Sequence, residues 1–401
     1  MSSPRPAPPS ARAVAPLYAA GFTTAFGAHS VAAGLGAEVG AARGDVGAGL
    51  LALGVFLALY DLAEVVLKPV FGSLADRIGP RPVIVAGLLG FAVASLIGIG
   101  AASPVLLAVA RLGQGAAASA FSPASSAAVA RLAGPRSGRS FGRYGSWKSL
   151  GYALGPLIGA GLILAGGLPL LFGVLAVIAL VAAGWAAVAV PAITPLPRPR
   201  YTLTDLARQL VERSFLGPTA VLAAATGSLG AAVGFLPAIA AASGLGTVLS
   251  IGAVTVLALA SALIQPVIGR ARDAGRLADR PAMAGGLGLI AVGIVAGALA
   301  AVTAGVAAGV LVYLAAALIG AGIAVTTPIA FAHLADAAPP ERMGRTMGTA
   351  ELGRELGDAG GPLLVGAVAA AAGIGWGLGA LAVVVGLTAT AAPRSPTVAD
   401  S

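Results

Sequence analysis

Long unbroken apolar runs, rather than alternation, set the pattern of this 401-residue chain. They fall at 17–37, 47–71, 82–102, 104–130, 144–166, 168–190, 215–242, 245–268, 282–303, 306–333, 346–372 and 375–392. Each approaches or exceeds the ~20 residues a helix needs to cross a hydrocarbon core of about 30 Å. Strands of a membrane barrel would be shorter and would alternate in polarity, and no long alternation occurs. The pattern predicts an all-α membrane protein with twelve transmembrane helices. No small-residue cleavage site follows 17–37, so that run reads as a span and not as a leader.

The second half echoes the first. "KPVFGSLAD" (68–76) aligns with "QPVIGRARD" (265–273), and "GRSFGRYGSWKSLGYALGP" (138–156) aligns with "GRTMGTAELGRELGDAGGP" (344–362). A duplicated six-helix unit is the architecture of alternating-access transporters. Two pseudo-symmetric six-helix bundles are therefore expected, at 17–190 and 215–392. A proline-rich disordered tail (1–16), a linker (191–214) and a short tail (393–401) complete the chain. Within the linker, "TLTDLARQLVERS" has the character of an amphipathic helix lying on a membrane surface.

Composition narrows the class. The chain is 58% hydrophobic and 10% charged, too few charges to cover a water-soluble fold. It has no cysteine and two histidines, His29 and His333, so neither a thiolate nor a histidine-built metal site is expected, and no cofactor. Of its 24 basic residues, 19 fall in the tails and in alternate loops on one side: Arg5, Arg12, Arg77, Arg81, Arg131, Arg136, Arg139, Arg143, Arg198, Arg200, Arg208, Arg213, Arg270, Arg272, Arg276, Arg280, Arg342, Arg345 and Arg394. The opposite loops carry only Arg43. The positive-inside rule places both termini and the linker in the cytoplasm, as for a multi-pass protein of the inner membrane. It also explains the net charge of +9 without nucleic acid.

Three short motifs carry further information. "GSLADRIGPRP" (72–82) joins spans 2 and 3 through Gly72, Asp76, Arg77, Gly79 and Arg81, "RLGQGAAAS" (111–119) lies on span 4, and "GYALGPLIGAG" (151–161) lies on span 5 with Gly151, Gly155 and Pro156. The glycines allow close helix approach, and Pro156 is expected to kink its helix. In these motifs the chain resembles the major facilitator superfamily, in its proton-coupled drug and solute exporter branch. Pro80 stands where that family's first motif has a basic residue. The resemblance implies that Asp76 meets the start of span 11 as a latch, that Gly269 and Asp273 form a degenerate second copy, and that Arg111 lines the cavity and assists proton transfer. Anchoring a substrate anion is the rival role for Arg111.

The remaining basic residues, Lys68, Arg111, Lys148 and Arg354, lie inside spans. Counting back from Gly72 at 1.5 Å per residue puts Lys68 about 6 Å, Glu64 about 12 Å and Asp61 about 16 Å inside the boundary, on one helix face. Span 11 repeats the pattern with Glu351, Arg354, Glu355 and Asp358. A charge in hydrocarbon costs roughly 2.5–3.5 kcal/mol or more, so these faces must look into protein or a watery cavity. Lys68, Glu351, Arg354 and Glu355 are expected to form a gate between the halves. Asp61, Glu64, Arg111, Lys148 and Asp358 are the candidates for proton coupling or substrate contact. A self-neutralising Glu64–Lys68 pair is the plainer alternative, and His29 reads first as a packing residue.

No phosphate-cradling loop points to ATP, and no nucleophile–base motif points to an enzyme. The expected function is proton-coupled export of a small organic solute or drug by a monomer whose partners are its substrate, protons and lipid. The alternatives are a proton-coupled importer of a nutrient or organic anion, and a non-transporting scaffold or sensor.

Overall fold

The structure is a computed structural model that describes residues 11–41, 46–101, 103–195 and 213–390. Arg5, Arg43, Arg394, the tail 393–401 and most of the linker with its expected surface helix lie outside these residues. Helices account for nearly all of the rest: α1 (Ala11–Ala41), α2 (Val46–Ile78), α3 (Pro80–Ile99), α4 (Pro104–Ala133), α7 (Arg213–Ala242), α8 (Thr247–Asp273), α9 (Asp279–Ala300), α10 (Gly305–Ala337), α11 (Met343–Ala372) and α12 (Ile374–Thr390). The stretch Ser137–Ala189 is helical throughout except at Gly166 and Gly167, where the backbone leaves helical values. Its limbs are α5 (137–165) and α6 (168–189). Twelve membrane helices in a duplicated arrangement result, as the apolar runs predict.

One boundary differs from expectation. The first helix begins at Ala11 and runs through Pro16, so residues 11–16 belong to a helix and not to a disordered tail. Pro156 sits inside α5 among helical backbone values, and the break between spans 5 and 6 falls at Gly166 and Gly167, where the apolar runs 144–166 and 168–190 place it. Gly167 takes a φ of 69°, a left-handed value that costs glycine nothing. Elsewhere the punctuation is conventional. Gly79 turns with φ 90° into Pro80 at the first position of α3, where a missing N–H does no harm. Ser103 caps α4 by accepting from the Leu106 N–H.

Among the described residues, seven helical stretches are long and apolar enough to cross a membrane on those grounds alone. α1, α2, α11 and α12 are not among them. α2 and α11 carry both acids and bases into the bundle, and their mates supply what lipid cannot.

Packing follows the repeat. α1 lies on α5 as α7 lies on α11; α2 and α3 pack on α4 as α8 and α9 pack on α10. The halves meet along two seams, α2 with α11 and α5 with α8, which exchange under the repeat. The small residues that permit this closeness correspond as well. A Cβ on Gly151 or Gly155 would press on α1 backbone between Phe22 and Ser30, and one on Gly357 or Gly361 would strike the carbonyls of Ala223 or Gly227 on α7. Such backbone-to-backbone contact is how membrane helices associate without a hydrophobic driving force. Large apolar side chains such as Val93, Val181, Leu263 and Leu387 lie exposed on the outside.

Gly361→Ala should lower thermal stability in detergent by roughly 1–3 kcal/mol, because its methyl group has nowhere to go. Gly366, five residues on, faces open space. Gly366→Ala should be neutral or stabilising by up to about 1 kcal/mol, and melting curves of the two variants make the comparison.

Candidate functional site

α2, α5 and α11 bring their charges together midway through the bundle. Lys68 Nζ lies 2.5 Å from Glu355 Oε1 across the α2–α11 seam and 3.2 Å from Glu64 Oε1 on its own helix. Lys148 Nζ on α5 lies 2.9 Å from Glu351 Oε2, which also receives Arg354 Nη1 at 3.1 Å. Lys68 and Glu351 are wholly buried, and Glu64, Lys148 and Arg354 nearly so. Arg354 forms its ion pair on its own helix and crosses to the first half only through the Tyr152 hydroxyl on α5, at 3.4 Å; it also lies 5.8 Å from the Phe331 ring. The ion pairs of this network that join the two halves are made by Lys68 and Lys148, so Lys148 belongs with the seam residues.

Above this network lies a cavity of about 120 Å³. Its polar lining comes from Thr24 and His29 on α1, Tyr60, Asp61 and Glu64 on α2, Arg111 on α4, Lys148 and Tyr152 on α5, and Glu355 and Asp358 on α11. Arg111 is buried with its guanidinium 4.5 Å over the Tyr60 ring, and it donates to Gln114 Oε1 at 2.9 Å. Gln114 in turn donates to Ser95. His29 packs against its surroundings, contacting the Ala25 carbonyl and the edge of Tyr152, and it also borders the cavity. Among the described residues no ion pair reaches Asp61 or Asp358. Asp61 is exposed to the cavity side, and Asp358 Oδ1 is buried with no hydrogen-bond partner. Six predicted residues, Asp61, Glu64, Arg111, Lys148, Glu355 and Asp358, therefore share one void.

Two carboxylate clasps close the arginine-rich end. Asp76, at the end of α2, accepts from the Gly344 and Arg345 N–H groups at the start of α11, at 2.6 and 2.8 Å, and from Arg131 at 3.0 Å. Asp273, at the end of α8, accepts from the Gly138 and Arg139 N–H groups at the start of α5, at 2.9 and 2.8 Å. Helix N-termini present unpaired N–H groups and partial positive charge, so each carboxylate meets both. Close approach is possible because Gly72 faces Gly344 and Gly269 faces Gly138; a Cβ on any of these would fall on the opposing carbonyl. Arg81 donates to the Ala187 carbonyl on α6, whereas Arg77 is exposed.

Sequence reading missed two features. First, the seam charges have neutral twins. The repeat equates Lys68 with Gln265, Glu64 with Ser261 and Glu355 with Ser149. Gln265 Nε2 donates to both Ser149 and Ser261 at 2.8 Å, reproducing in hydrogen bonds the ion-pair geometry of the other seam. The signal was present in the aligned "KPV" and "QPV". Second, His333 is buried and joins a charged cluster. It lies 2.8 Å from Asp279, which Arg272 also holds, and Arg272 bridges to Asp336 and Ser137.

A duplicated twelve-helix bundle with ionic groups buried on its seam defines a class of membrane-spanning carriers. The sequence profile of the Major Facilitator Superfamily matches residues 17–273 and 219–399, and the chain belongs to that family. The puromycin resistance protein pur8 of Streptomyces alboniger is 40% identical over 106 residues, 26% of this chain and 21% of that protein. The class B tetracycline resistance protein of Escherichia coli is 32% identical over 106 residues, 26% of each chain. These stretches cover about a quarter of the relatives' length. The solved structure of the human organic anion transporter MFSD10 superimposes with a TM-score of 0.79 at 18% identity, covering 96% of this chain and all of the other, a likeness of fold.

Removing one member of the ionic network strands the others. Lys68→Met leaves Glu64 and Glu355 buried without their cation and should cost about 3–5 kcal/mol. Lys68→Met combined with Glu64→Gln and Glu355→Gln should recover most of that loss, as thermal melts of the purified proteins would register.

Proposed function

We propose that this protein is a proton-coupled secondary active transporter of the cytoplasmic membrane that exports a small organic solute or drug by alternating access. The observation that carries the proposal is the cavity in which the unpaired carboxylates of Asp61 and Asp358 adjoin an ion-pair network spanning the α2–α11 seam. Five acids (Asp61, Glu64, Glu351, Glu355, Asp358) meet four bases (Lys68, Arg111, Lys148, Arg354) in and around it. One proton, or one singly charged cation, brings this set to neutrality. Two ligands that neutralise the same excess charge compete, and competition is the requirement for exchange of solute against protons. A proton that reaches Glu355 would weaken its hold on Lys68 and bias the seam toward opening, by as much as its affinity differs between the two states.

Direction of transport rests on supporting points. The span 5 motif resembles that of exporters, and two of the relatives are named for antibiotic resistance. The arginine bias puts the clasped end in the cytoplasm, so the arrangement described is the one closed to that side. A second reading has its own observation: Arg111, stacked on Tyr60 at the cavity wall, offers a fixed guanidinium to an organic anion, which suits an importer.

In inverted membrane vesicles with an acid lumen, an exporter accumulates its solute and an importer does not. Asp61→Asn should abolish that uphill uptake while sparing solute counterflow. Full proton-driven accumulation by the variant would remove Asp61 as the proton carrier.

A further inference from the structure

Away from the seam, a concave site of about 400 Å³ opens at the arginine-rich end, between α1 and the junction of α4 with α5. Arg136, Arg139 and Arg143 converge on it, with Ser140, Tyr18 and Trp147. No carboxylate is among its described lining residues. The guanidinium groups of Arg81, Arg131, Arg272 and Arg354 each meet a carboxylate or a carbonyl; among the described residues the three that share this hollow do not. Arg139 Nε is buried and has no acceptor. The arginine bias of cytoplasmic loops explains why arginines occur at this level. It does not explain a hollow that gathers three of them or a buried donor left unanswered, and an orphaned charged donor is costly.

The wall of the site continues toward the hydrocarbon. Ser140, Arg143 and Trp147 follow one another at helical spacing on one face of α5, Arg136 stands just before its first turn, and Leu154 and Ile158 extend that face. Trp147, Leu154 and Ile158 are exposed, and Trp147 meets Phe22 of α1 edge-on. Tryptophan favours the headgroup level of a bilayer. A guanidinium fork suits phosphate oxygens. A molecule that fits all of this has a phosphate at one end and an acyl chain at the other.

We propose that this hollow binds the phosphate-bearing headgroup of an anionic phospholipid, with an acyl chain lying along Trp147, Leu154 and Ile158. The site is independent of the seam charges and of the transport reaction proposed above.

The test uses the full chain carrying Trp185→Phe and Trp376→Phe, which leaves Trp147 as the sole tryptophan, in vesicles of phosphatidylcholine with a minority of phosphatidylglycerol. Bromine is placed on the acyl chains of one lipid or the other, and quenching of Trp147 reports which lipid lies beside it. Brominated phosphatidylglycerol should quench far beyond its share of the bilayer. Each of Arg136→Gln, Arg139→Gln and Arg143→Gln should lower that preference about fivefold, corresponding to roughly 1 kcal/mol per basic side chain at a membrane surface. Triple replacement by lysine should retain much of it, which separates lost charge from lost fold. Quenching by brominated phosphatidylcholine verifies that each variant is inserted. Equal quenching by both lipids in the parent chain, or a preference unchanged in the triple glutamine variant, would overturn the proposal. Loss of the preference on adding inorganic phosphate at millimolar concentration would overturn the lipid as ligand and assign the site to a free phosphate.

Discussion

Ions carried into a membrane span must find an opposite charge or a cavity within the protein, since a charge left in hydrocarbon costs roughly 2.5–3.5 kcal/mol or more. That constraint organises the centre of this molecule. Lys68 is held between Glu64 and Glu355, and Glu351 is held between Lys148 and Arg354. Each match fixes not a helix but a relation between helices: α2 to α11, and α5 to α11. The rotation of all three about their axes follows, as does the position of the carboxylates one or two turns deeper. Apolar packing of equal volume could hold the seam as well. It could not be loosened by a proton.

The comparison of the two seams sharpens this. Internal duplication supplies the same backbone geometry twice, with glycines against carbonyls and a carboxylate at a helix N-terminus on both sides. At equivalent positions one seam holds Lys68, Glu64 and Glu355, and the other Gln265, Ser261 and Ser149. Neutral hydrogen bonds of this kind do not respond to pH in the physiological range. The duplication thus separates two tasks, adhesion shared by both seams and sensitivity to charge confined to one.

Much of the fold was legible because the bilayer simplifies the problem. A span must be long, apolar and helical, so the apolar runs named the helices directly, and the repeat named the symmetry. That Asp61, Glu64 and Lys68 share one face of α2 was legible for a similar reason: the helical period needs no tertiary knowledge. Partner choice was not. Whether Lys148 reaches Glu351, or Arg354 crosses to α2, depends on which faces of three separate helices meet. The sequence of any one helix is silent on that. His333 shows the same limit, since Asp279, 54 residues away, is what draws it inward. The early start of α1, which runs on through Pro16, shows a local rule overridden by its surroundings.

The paired clasps at Asp76 and Asp273 have a mechanical consequence. They sit on opposite edges of one closed end, and each ties the last turn of a helix in one half to the first turn of a helix in the other. In the alternating access proposed above, parting the two halves evenly at this end lengthens both ties at once. Their strengths then add in one barrier to opening toward the arginine-rich side.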